Sequence, residues 1–143
     1  MTVLLDAFVL IALLRCEPAA DVETILRRGE AAMSAVNLAE ALDALQRVDG
    51  VDRARLDTLT GPLVHESVVL LAVDEHTARD GADVRARRYH RTRAPLSLAD
   101  CLLLAAARGS QAIVATADRP LAAAARAEGV EINPLPDSRG RRP

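Results

Sequence analysis

Apolar residues along this chain alternate between short runs and longer periodic stretches. Residues 2–5 and 112–115 are short apolar runs, and residues 68–73 (VVLLAV) form a continuous one, as expected of strands in a sheet covered on both faces. Residues 31–34 and the region near Ile132 read as further short strands. Helical segments separate them, near residues 8–15, 19–28, 36–48, 52–59, 75–89, 98–107 and 120–128. In the third of these, Leu38, Ala41, Leu42, Leu45 and Val48 form an apolar stripe, while Glu40 falls nearly opposite, on the side of Asn37. Gly61-Pro62 is expected to stop the 52–59 helix, and Gly129 to end the last one. Alternating strands and helices predict a single-domain α/β fold, a doubly wound parallel sheet flanked by helices over residues 1–133. Residues 134–143, rich in Pro and Arg, read as a flexible tail.

Carboxylates interrupt this pattern at particular places. Asp6 stands between an opening strand and an apolar helix, and Asp118 follows the strand of residues 112–115, just before Pro120 pre-sets a helical turn. Each is a helix cap or a site residue. In open parallel sheets ligands bind beyond the carboxyl ends of the strands, so neighbouring strands would bring two such positions to one crevice. Asp100 is the only charge in residues 98–107 (LADCLLLAAA), a segment apolar on every face. A buried carboxylate needs hydrogen bonds, a counter-charge or a metal. Ser97 and Asp100 also fit a capping box, and capping does not exclude metal binding. Glu40, read from periodicity alone, is a solvated surface charge.

Four strings, VLLDAFVLIALL (residues 3–14), SAVNLAEAL (34–42), LSLADCLLLAAA (96–107) and IVATADRPL (113–121), resemble the successive motifs of PIN-domain ribonucleases. Spacing and length most resemble the VapC-type toxins of type II toxin–antitoxin pairs, and the resemblance spans residues 3 to about 133. It implies that Asp6, Glu40, Asp100 and Asp118 are the acidic catalytic quartet, with Asp6 and Asp100 as direct metal ligands. Asn37 then matches a polar residue one turn before the Glu, and Thr116 the hydroxyl of a T-x-D motif. Phe8 departs from the family's usual Ser or Thr two residues after the first Asp, which removes one polar contact. The resemblance also explains Glu40 away from the apolar stripe, since a residue lining a site faces a solvated cleft.

The implied chemistry suits these residue types. Converging carboxylates repel one another unless a divalent cation neutralises them, and oxygen-only ligands favour Mg²⁺, with Mn²⁺ as an alternative. Such an ion polarises a phosphoryl oxygen and activates water for in-line attack. Cys16 and Cys101 are far apart, and His65, His76 and His90 pair with neither, so no zinc site is expected. All 18 basic residues are Arg, which excludes a Walker phosphate loop and disfavours receiver domains and haloacid-dehalogenase-like phosphatases, whose sites use Lys.

Composition narrows the function further. The net charge of −2 does not advertise nucleic-acid binding, and with 1% aromatic residues, Phe8 and Tyr89, base stacking is a poor prospect. RNA recognition would rest on phosphate contacts and shape. The densest positive run holds Arg85, Arg87, Arg88, Arg91 and Arg93, either a solvated helix end or a contact to RNA or a partner. The short opening apolar run is neither signal peptide nor membrane span, and two dispersed cysteines suit the cytoplasm.

The resemblance therefore implies an endoribonuclease toxin, a homodimer restrained by a cognate antitoxin. The antitoxin's carboxyl-terminal segment would lie in an apolar groove walled by the helices of residues 8–28 and 36–48, through Val22, Ile25, Leu26 and the 38–45 stripe. Two alternatives stand beside it: a PIN nuclease of RNA processing without an antitoxin, and an inactive PIN-like protein-binding module.

Overall fold

The computed structural model describes residues 1–17 and 20–143; the Ala19 start expected for the second helix lies outside them. Five parallel strands form one sheet: β1 (Val3–Leu5), β2 (Ala31–Ser34), β3 (Val69–Leu71), β4 (Ile113–Thr116) and β5 (Ile132–Pro134). Their spatial order is β3-β2-β1-β4-β5. The helices are α1 (Ala7–Leu14), α2 (Ala20–Arg27), α3 (Ala35–Arg47), α4 (Arg53–Pro62), α5 (Glu75–Arg88), α6 (Leu98–Ser110) and α7 (Arg119–Ala127). Strand order runs outward both ways from the centre, so the topology switches between β1 and β4 and opens a crevice beyond their carboxyl ends. None of the described helices is long and apolar enough to cross a membrane.

The pleat of β1 divides the core. Val3 and Leu5 face one layer, with Val22, Ile25, Ala41, Leu45 and Leu56 of α2, α3 and α4. Leu4 faces the other, with Val84 of α5, Leu103 and Leu104 of α6, and Leu121 and Ala125 of α7. Within that second layer α5 and α6 are in close contact because Gly81 has no side chain. A Cβ there would meet Leu102 Cδ2 at 2.6 Å and Leu102 Cα at 3.2 Å. Glycine inside a helix is unfavourable by about 1 kcal/mol relative to alanine, and here close helix packing offsets that cost.

Three local expectations are corrected. Residues 68–73 were expected in a sheet covered on both faces, but β3 is an edge strand paired only to β2, with Val69 61% and Leu70 42% exposed. An apolar run reports hydrophobicity, whereas its depth depends on strand order, which no local run encodes. Gly61-Pro62 does not stop its helix. The chain stays helical through Pro62, although proline donates no hydrogen bond there, and continues as a wide π-type turn over Leu63–Ser67, with the Leu63 amide donating to the Thr60 carbonyl. Finally, Val48 caps α3 at 65% exposure, while Asn37 is fully buried beside Ala41 and Leu45, so the inward face of α3 is rotated from the expected stripe.

Beyond β5, the Leu135 amide donates to the Thr116 carbonyl at 2.9 Å, and the Leu135 side chain is buried. Asp137 accepts from the Arg139 and Arg141 amides, and Arg142 pairs with Asp21 at 2.8 Å.

Candidate active site

Register assembles the first part of the site. Leu5 lies abreast of Ala115, so Asp6 and Thr116, the next residues, emerge together at the carboxyl edge. Asp6 Oδ1 caps α1 by accepting from the Val9 amide at 2.9 Å, and Oδ2 accepts from the Thr116 hydroxyl. The same hydroxyl accepts from the Asp118 amide at 2.9 Å. Burial pushes the Asp6 carboxyl up to about 7; the bonds from Thr116 and Val9 oppose this, and Asp100 and Asp118 add to it.

Asp100 enters from α6. Its amide donates to Ser97 Oγ at 3.0 Å, and its Oδ2 accepts from the Ser97 amide at 2.9 Å, a complete capping box. Its carboxyl is raised to about 6, first by burial and then by Glu40 and Asp118, against the Ser97 bonds. Asp118 caps α7 by accepting from the Leu121 amide at 3.0 Å. Asp6 and Asp118 therefore cap helices, Asp100 completes the capping box of a third, and all three line one cleft of about 250 Å³. Glu40, half-buried on α3, lines that cleft as well, together with Phe8, Ile11, Pro95 and Ser97.

Other expected residues lie elsewhere. Asn37 is fully buried with neither side-chain amide atom hydrogen-bonded, and it does not line the cleft. Arg87 and Arg88 bind the Glu128 carboxylate at 2.9 and 2.6 Å, and Arg108 joins them at 2.8 Å. Arg85 lies over the Tyr89 ring, 4.5 Å from its centroid. Arg91 and Arg93 stand exposed on the turn that follows. Sequence reasoning missed Pro95 and Ile11 as cleft walls and Glu128 as an arginine hub. An acid before a helix-ending glycine carries no local mark of such a role.

The donor set suits a hard divalent cation, because every candidate ligand is a carboxylate and, among the described residues, none of the four acids pairs with a cation of the chain. Among the described residues no group of three or more His, Cys, Asp or Glu is arranged to hold a metal by itself. Mg²⁺ does not require one, since it keeps several waters and is held by one or two carboxylates with substrate phosphates.

The PIN domain model matches residues 3–127, and the chain belongs to that family. The fold is shared by the DNA-bound VapBC of Salmonella typhimurium: TM-score 0.68, 20% identity, 93% of this chain and 97% of that one covered. It is also shared by a sarcin-ricin-loop-cleaving VapC toxin of Mycobacterium tuberculosis, with TM-score 0.65, 20% identity and coverage of 86% and 95%. A third similar structure is FitAcB of Neisseria gonorrhoeae, at TM-score 0.60, 24% identity and coverage of 92% and 96%. No curated protein matches the chain.

Proposed function

We propose that this PIN domain is a Mg²⁺-dependent endoribonuclease and the toxin of a toxin–antitoxin pair. The carrying observation is that Asp6, Glu40, Asp100 and Asp118, from four separate segments, line one cleft without a cation of the chain paired to them. Asp6 and Asp100 would hold the ion, with Glu40 and Asp118 completing its shell through waters. Bound there, Mg²⁺, or Mn²⁺ in its place, supplies Lewis-acid charge to a phosphoryl oxygen and lowers the pKa of an attacking water. The chain's own work is positioning. Thr116 fixes Asp6 Oδ2, and the Ser97 amide fixes Asp100 Oδ2, so that each carboxylate is held in one orientation. Glu40, on the α3 wall of the cleft, would orient the water. Purified chain with Mg²⁺ should cut RNA, and chelation should stop it; sequencing the fragments after induction would map the cut. No cleavage with any divalent ion would favour a binding module instead.

The antitoxin reading has its own support. An apolar groove of about 310 Å³ adjoins the cleft, lined by Phe8, Val9, Ala12, Val22 and Leu135 and by the charged Glu17, Asp21, Asp137 and Arg142, the last paired with Asp21. Ile25, Ala41 and Leu45, expected as groove walls, are core residues instead. Phe8 borders both groove and cleft, so a segment in the groove would reach the carboxylates across it. An arginine on that segment would offer fork-shaped hydrogen bonds and compete with the metal. Inhibition should then weaken as Mg²⁺ rises; retained inhibition by an antitoxin lacking its carboxyl-terminal segment would overturn this arrangement. We place the toxin in the cytoplasm as a homodimer, which sedimentation would test.

A further inference from the structure

We propose that Arg93 and Arg119, with Arg91 beside them, hold the RNA backbone at the rim of the cleft; this rests on the nuclease reading above. Four carboxylates repel a polyanion, so productive binding needs cations close by. The densest basic stretch supplies fewer than its composition suggests. Arg87 and Arg88 are engaged by Glu128, whose side chain is only 4% exposed, and Arg85 lies over Tyr89.

Arg91 and Arg93 differ from these. They sit on a turn closed in both directions between His90 and Ala94, with amide-to-carbonyl distances of 2.9 and 3.0 Å. His90 Nδ1 braces it further, accepting from the Thr92 and Arg93 amides at 3.3 and 3.2 Å. Both side chains are exposed, and among the described residues neither guanidinium has a partner. Arg93 is two residues before Pro95, a cleft wall, so their Cα atoms are at most about 7 Å apart.

Arg119 is a second such residue, from another segment. It follows Asp118 directly at the start of α7, is exposed, and has no partner among the described residues. Two exposed arginines with no partner among the described residues thus lie close in the chain to cleft residues, Arg93 two positions before Pro95 and Arg119 one after Asp118, ahead of α6 and at the head of α7. Their planar forks match phosphate oxygens, and a surface this poor in aromatic residues must grip the backbone more than the bases.

The test uses the full chain carrying Asp100→Asn, so that RNA persists, with Mg²⁺ present and a fluorescein-labelled, mixed-sequence single-stranded RNA as probe. In anisotropy titrations Arg93→Ala and Arg119→Ala should each weaken binding about tenfold, and each should reduce the salt slope by about 0.7 per phosphate contact. Their melting temperatures should not move, and Arg93→Lys should restore the slope. Arg87→Ala and Arg88→Ala should do the reverse, lowering the melting temperature while folded protein binds RNA as before. Unchanged affinity and slope in Arg93→Ala and Arg119→Ala, with the Asp100→Asn parent binding RNA, would overturn this proposal alone. Equal losses in Arg87→Ala and Arg88→Ala would also overturn it. A native chain that neither binds nor cuts RNA would instead sink the nuclease reading, and this proposal with it.

Discussion

The cleft and the Glu128 cluster treat carboxylates in opposite ways. Around Glu128 the chain supplies three guanidiniums, from Arg87, Arg88 and Arg108, and the bonds from Arg87 and then Arg88 hold its carboxyl below the ordinary range against the opposing effect of burial. At the cleft it gathers four carboxylates with no cation paired to them among the described residues, and Asp6 and Asp100 are pushed up to about 7 and about 6. The first arrangement is complete within the chain and ties α5, α6 and α7 together. The second has no counter-charge among the described residues, which is the arrangement the proposed metal site would need.

Four experiments would break or sharpen that comparison, the largest effect first. Asp6→Asn and Asp100→Asn should each lower RNA cleavage by at least about two orders of magnitude while the fold survives, because each removes charge that holds an ion. Asparagine keeps one acceptor oxygen, for the Val9 amide at position 6 or the Ser97 amide at position 100, so circular dichroism and melting should stay near those of the parent chain. Unfolding with undiminished activity in the soluble fraction would return both residues to a purely structural role.

Metal should act on one region only. Mg²⁺ at about a hundred times its dissociation constant should stabilise the native chain by about 2.7 kcal/mol, read as a rise in melting temperature. Asp100→Asn should remove most of that rise, and Glu128→Gln should leave it intact. A melting curve indifferent to metal over a wide titration would count against a preformed site.

Glu128→Gln should lower stability by about 1 to 2 kcal/mol in urea titrations, since the arginines it holds are partly exposed and keep their hydration. Cleavage per folded molecule should not change. Loss of activity without loss of stability would show that the cluster serves the site directly.

The fourth contrast is in pH. An Asp ionises near 3.8 in the unfolded chain, whereas folded Asp6 and Asp100 keep their protons to about 7 and about 6. The native state binds more protons between those limits, so in EDTA its stability should fall as pH rises from about 4 to about 7 and then level off. Glu128 runs the other way: its contribution is present above its ordinary 4.5 and is lost as acid titrates the lowered carboxyl. Mg²⁺, which prefers ionised ligands, should flatten the fall, and melting at pH 5 and 8 with and without metal would show it.

Much of this was legible before any coordinates. Strand and helix positions followed from local periodicity, and Ser97, Asp6 and Asp118 announced helix starts through caps that act over three residues. The four motif strings named the acids of the candidate site. Tertiary structure alone decided what depends on distant partners. Parallel register between β1 and β4 placed Thr116 on Asp6, residues 110 positions apart. Strand order left Val69 and Leu70 at an edge, although an apolar run suggested a covered sheet. Arg87 and Arg88 were separated from Arg91 and Arg93 by Glu128, about 40 residues away and invisible to any window of sequence. Periodicity and capping are short-range, so the sequence shows them directly; burial, register and charge pairing are settled only when remote segments meet.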